Sequence, residues 1–164
     1  MTRIGLLSDT HGYVHLELER IFEACEEIWH AGDFGTFDTV RALRAIKPMR
    51  GVFGNIDGQD IRMSFPKYQR FMCEEVDVLM THIGGYPGNY PSDVRNILQK
   101  NPPKLFVAGH SHILKIQYDK HHNMLYINPG AAGKNGFHKV ITMVRFTIDK
   151  SDIKDLEIVE FARH

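Results

Sequence analysis

Only two cysteines occur, Cys25 and Cys73. Their separation fits neither a C-x-x-C redox pair nor a disulfide scaffold, so a reducing compartment is expected. Surplus charge of either sign is missing too: Lys and Arg total 20, Asp and Glu total 20. That balance leaves no footprint for nucleic acid or an anionic membrane. No apolar run approaches the roughly 18 to 20 residues of a membrane span, and the one at the start is too short for a signal peptide. Low-complexity tracts and internal repeats are absent as well. The expectation is one cytoplasmic domain over residues 1–164, long enough to bury a core without disulfides or a structural metal. The unusual abundance is histidine, 10 in all, and position tells more than number.

Apolar periodicity predicts an alternation of strands and helices over the first two-thirds. Strands are expected at 4–7, 28–31 and 49–53, with helices at 14–25 and 36–46 between them. Strands 68–73 and 76–80 flank Glu74-Glu75 as a hairpin, although neither residue favours positive φ. A helix over 92–100, with Ser92 as N-cap and Asp93 in its first turn, stops before Pro102-Pro103. Strands at 105–108, 115–118, 124–127, 140–148 and 156–161 complete the chain. Alternation followed by a run of strands points to a layered α/β protein with more than one sheet.

The residues just beyond each strand carry the chemistry. The strand ends read Asp9-Thr-His11-Gly, Gly32-Asp33, Gly54-Asn55, Thr81-His82 and Gly109-His110-Ser-His112. In open α/β sheets ligands bind outside the carboxyl ends of the strands. Seven O and N donors, Asp9, His11, Asp33, Asn55, His82, His110 and His112, exceed what one ion needs and fit two ions sharing a ligand. Asp33, between the two donor groups in the chain, is the natural bridge. A set of carboxylate, amide and imidazole without thiolate suits Mn²⁺, Fe, Zn²⁺ or Co²⁺ in an open catalytic site rather than a closed structural one.

Taken in this order, the five motifs resemble those of the calcineurin-like metallophosphoesterases, in the small bacterial and archaeal phosphodiesterase branch to which the retromer phosphoesterase-like subunit also belongs. Asn128-Pro129-Gly130 extends the likeness. The resemblance implies a two-sheet mixed β-sandwich flanked by helices, a four-layer α/β/β/α fold. It implies one metal on Asp9, His11, Asp33 and His112 and a second on Asp33, Asn55, His82 and His110. The two divalent ions are expected to be manganese, with nickel, cobalt, zinc, iron and magnesium as alternatives. A phosphodiester would then be hydrolysed by in-line attack of a metal-bridging hydroxide, with Asp33 and Asn55 as the catalytic side chains. The expected partner is a small phosphoester, and a homo-oligomer is left open. The sequence departs from the wider superfamily at Ile56, where many relatives have a histidine thought to protonate the leaving group, and at Ile83-Gly84, where many have Gly-His. A scaffold that keeps the fold and binds proteins is the competing expectation.

The remaining histidines are assigned no ligand role: His30 as packed near the site, His15 on a helix face, His121 and His122 in a hairpin turn, His138 at the surface, His164 terminal. Asp57 is expected either to cap its turn or to orient Asn55. The loop 84–91, rich in Gly, Pro and Tyr, reads either as a plain connection or as a mobile wall of the site. Residues 128–133 are expected to pack tightly beneath the site.

Overall fold

The computed structural model describes residues 1–163; His164 lies outside them. The chain runs β1 (Thr2–Leu7), α1 (Leu18–Ile21), β2 (Glu27–His30), α2 (Phe37–Ile46), β3 (Met49–Gly51), α3 (Gln59–Ser64), β4 (Tyr68–Cys73), β5 (Val76–Thr81), α4 (Ser92–Lys100) and β6 (Leu105–Val107). β7 (Leu114–Asp119), β8 (Met124–Pro129), β9 (Val140–Asp149) and β10 (Asp152–Ala162) complete it. No helix among the described residues is long and apolar enough to cross a membrane.

Two five-stranded mixed sheets form, in the orders β10-β9-β1-β2-β3 and β4-β5-β6-β8-β7. The parallel runs are β1-β2-β3 in one sheet and β5-β6-β8 in the other. Three apolar layers separate the elements. Ile4, Leu6, Trp29, Val78, Val107 and Phe146 belong to the core between the sheets. Leu7, Ile28, Val40, Leu43 and Ile61 pack α1, α2 and α3 against the outer face of the first sheet. Leu79, Val94, Leu98, Phe106 and Tyr126 pack α4 against the outer face of the second. Strands buried on both faces read as continuous apolar runs, which is why β1, β2 and β6 stand out in the sequence. On β1, Gly5 is required: a Cβ there would lie 2.5 Å from the Phe22 ring.

The four-layer sandwich agrees with expectation, and several local features do not. The expected helix 14–25 reduces to α1, a single turn. Its apolar residues Leu18, Ile21, Phe22 and Cys25 are buried, but Leu16 points into solvent. His15 is on no helix; its ring stacks on Phe161 at 4.1 Å. α3 was not expected. The N-cap of α4 is Pro91, so Ser92 is the first helical residue and makes no capping bond. At the β4–β5 turn Glu74 does adopt φ 53°, tied down by Thr2 Oγ1 donating to its carboxylate at 2.8 Å. Cys25 and Cys73 are both buried and free; burial raises both thiols, Cys73 to about 11.

Candidate metal centre

Parallel strands end on a common edge, so the loops leaving β1, β2, β3, β5 and β6 emerge at one end of the sandwich. Asp9 and His11 come after β1, Asp33 after β2, Asn55 after β3, His82 after β5, and His110 and His112 after β6. Asp9, His11, Asp33, His110 and His112 all have left-handed backbone, with φ between 48° and 72°. Outside glycine such a conformation is strained and is held only where neighbours over-determine it. Here they do. Asp9 N donates to Gly32 O at 2.9 Å, His11 N to Asp33 O at 3.1 Å and Gly12 N to Phe34 O at 2.8 Å, stitching the two loops together. At Gly54 the approach is so close that a Cβ would lie 2.0 Å from Asp33 Oδ1.

Each carboxylate uses one oxygen as an anchor and presents the other. Asp9 Oδ2 accepts from Ser8 Oγ at 2.6 Å and from His110 N at 3.1 Å. Its Oδ1 faces His112 Nε2 at 3.2 Å and His11 and His82 Nε2 at 3.8 Å each. Asp33 Oδ1 accepts from Ile56 N at 3.1 Å. Its Oδ2 faces His82 Nε2 at 3.2 Å and His11 Nε2 at 3.4 Å, touching both donor groups. At the exposed rim, Asn55 Oδ1 lies 3.1 Å from His110 Nδ1. The donors fall into two tight triplets, Asp9–His11–His112 and Asp33–His82–His110.

These spacings suit a cation. Donors about 2.0–2.2 Å from a common centre stand roughly 3.0–3.8 Å from each other, the range seen here. Asp9 Oδ1, His11 Nε2 and His82 Nε2 are buried without any hydrogen-bond partner. Leaving one such group unsatisfied costs about 1–3 kcal/mol, and three that face one another make a cage for positive charge. Burial alone would raise the Asp9 carboxyl, but the imidazoles of His11, His112 and His82 overcome it and hold Asp9 far below the usual carboxylate range. The Asp9 contact raises His11 against the opposing effect of burial. His82 is lowered by burial but raised on balance by Asp33 and Asp9. The residues present fit divalent cations.

All seven donors named from the sequence meet at this one place. Asp57 caps its turn, as expected, and does more. Its buried carboxylate accepts from the N–H groups of Asp33, Phe34, Gly35 and Gly54, tying the loops after β2 and β3 together. The sequence offered only an Asn-x-Asp turn pattern as its signal. His30 stays outside the cluster, stacked on Phe34 and hydrogen-bonded to Thr10 Oγ1 at 3.0 Å, with Gly32 N donating to its Nδ1. Burial lowers it to about 3, so it is neutral. His138 is less remote than expected: its ring sits 5.1 Å from that of His112. Residues 128–133 do pack beneath the site, with Asn128 Nδ2 donating to Gly109 O and Ala132 N to Ser8 O. The 84–91 loop is anchored by buried Tyr90, whose hydroxyl donates to Asp119 at 2.6 Å.

Comparison with known proteins agrees with this fold. A probable metallophosphoesterase of Methanothermobacter thermautotrophicus is 29% identical over 133 residues, covering 78% of this chain and 76% of that protein. Among solved structures, an archaeal phosphodiesterase superposes with TM-score 0.73 at 20% identity, covering 96% of this chain and 99% of its own. Zinc-complexed Vps29 of Entamoeba histolytica superposes with TM-score 0.73 at 14% identity, covering 99% of each chain. At these identities the two structures speak for the fold alone. The family model described as the calcineurin-like phosphoesterase superfamily domain matches residues 2–151, an interval that contains every donor above, and the chain belongs to that superfamily.

Proposed function

We propose that this phosphoesterase hydrolyses small phosphodiesters with two divalent cations, manganese foremost, residues 1–164 working as one domain. The observation that supports it best is the trio of buried, partnerless atoms, Asp9 Oδ1, His11 Nε2 and His82 Nε2, turned toward one another. In this reading Asp9, His11, Asp33 and His112 hold one cation, and Asp33, Asn55, His82 and His110 the other. Bound cations supply Lewis acidity that lowers the pKa of water and offsets charge on the phosphoryl oxygens. The chain's own part is placement. His82 must offer a lone pair at Nε2, and its Nδ1, 2.7 Å from Ala31 O, fixes that tautomer by donating to the carbonyl. Asp33 spans the two groups through Oδ2 because Oδ1 is held by Ile56 N. Asn55, at the rim, offers its amide N–H to a phosphoryl oxygen of the substrate. Ile56 beside it brings no proton, so leaving groups that depart as stable anions are favoured.

Purified protein supplied with Mn²⁺ is expected to cleave bis(p-nitrophenyl) phosphate, to stop in EDTA, and to lose at least a hundredfold in kcat/KM as Asp33→Ala or His82→Ala. A metal-loaded wild type inert on a broad phosphoester panel would remove the enzyme reading. It would favour the competing one, a protein-docking face, for which the exposed Ile56, Ile83, Ile113 and Phe137 around the donors are the motivating feature.

A further inference from the structure

Beside the donor cluster, on the Asn55 and His82 side, lies a cavity of about 350 Å³ lined by residues that include Phe53, Arg62, Lys67, Ile83 and Asp93. At about 30 Å³ per water it has room for roughly a dozen waters, more than a bare phosphoryl oxygen requires. Two cations stand on its wall, and neither is matched by a carboxylate among the described residues. Arg62 lies over the Phe53 ring at 4.5 Å and donates only to backbone carbonyls, to Asp57 O at 2.7 Å and Asn55 O at 3.2 Å. Lys67 Nζ rests 5.3 Å over the Tyr68 ring and makes no ion pair. The acidic wall residue, Asp93, is engaged by the Tyr68 hydroxyl. Thr81 Oγ1 donates to Lys67 O at 3.0 Å and His82 Nδ1 to Ala31 O, while His82 Nε2 faces Asp33 Oδ2 in the donor cluster and the Asn55 amide N–H stays open to the substrate. Among the described residues the cavity therefore offers positive charge and, outside the donor cluster itself, no free imidazole or carboxylic acid to protonate a departing oxygen.

We infer that this cavity receives an anionic leaving group, and that the preferred substrate is a disubstituted pyrophosphate: a diester-like phosphorus whose departing arm is itself a phosphoryl group. The inference rests on the phosphodiesterase reading and narrows its substrate class. The oxygen of water forms the new P–O bond, and the bond to the bridging oxygen breaks. Its electron pair leaves with the second phosphoryl group, and both protons of the water pass to solvent as the two product phosphomonoesters ionise. A phosphate, with a second pKa of about 6, leaves as an anion at neutral pH. Arg62 and Lys67 stabilise the charge that develops on it.

The test compares wild type, Lys67→Gln and Lys67→Arg, since Arg62 also braces the Asn55 loop and its loss would confound folding with binding. With Mn²⁺, wild type is expected to hydrolyse diadenosine diphosphate. Lys67→Gln is expected to lower kcat/KM on it at least tenfold more than on bis(p-nitrophenyl) phosphate, and Lys67→Arg to restore most of the difference. In EDTA, calorimetric titration with methylenebisphosphonate is expected to show binding to wild type and at least fivefold weaker binding to Lys67→Gln. Cleavage of the aryl diester with none of diadenosine diphosphate would overturn the inference and leave the phosphodiesterase reading standing. So would equal losses on both substrates, or bisphosphonate binding indifferent to Lys67. If neither ester is cleaved, both fall together.

Discussion

Five of the seven gathered donors are held in left-handed backbone, a conformation that costs an L-residue with a Cβ about 1–2 kcal/mol. The compensation comes from small neighbours and from Asp57. Gly54→Ala would drive a methyl to 2.0 Å from Asp33 Oδ1 and 2.4 Å from Asp33 N. Asp33 must then move, and a displacement near 1 Å costs about a hundredfold in rate, so a kcat/KM within threefold of wild type would contradict this account. Asp57→Ala removes the acceptor for four backbone N–H groups. It is expected to destabilise the fold by about 3 kcal/mol or more, read by urea denaturation. The donors were legible in the sequence because each terminates an apolar run. Asp57 was not, because three of its four partners lie 22 to 24 residues away, and only the packed loops bring them to it.

At the scale of elements, the strands were read well where both faces are buried, and the helices less well. α2 shows the agreement: Thr36 caps it, its Oγ1 accepting from Thr39 N at 3.3 Å. Thr36→Ala is expected to cost about 1 kcal/mol in thermal or urea unfolding, and Thr36→Ser close to none. The segment before α1 misled because Leu18, Ile21, Phe22 and Cys25 have helical spacing, yet the chain must leave Gly12 at φ 83° and be back at Arg3 O by Glu26 N. The segment makes one helical turn. α3 did leave a signal in the sequence: Gly58 at its start, Asp60 in its first turn, and Ile61 and Phe65 four apart before Pro66.

For the whole molecule without metal, the histidines set opposing pH dependences. His11 and His82 are raised in the fold, so their stabilisation is complete below the ordinary 6.5 and is lost as pH rises through their folded values. His30, lowered to about 3, and His110, lowered by burial and by His82, act in the other direction. Their unfolded forms take up protons below 6.5, and stability declines as pH falls. The melting temperature of the EDTA-treated protein should therefore peak near the ordinary histidine pKa, and a steady rise across pH 5 to 8 would refute this assignment. Manganese should shift the optimum upward, because ligating imidazoles must be deprotonated. Four donors hang from the first sheet and three from the second, and the strands that carry the first four precede in the chain those that carry the other three. Each of the two donor triplets draws on both sheets. If the two triplets hold ions as proposed, capture would wait until both halves of the sandwich have docked, and a slide of one sheet over the other would part the ligands. Metal affinity would then double as a gauge of whether the two halves remain in register.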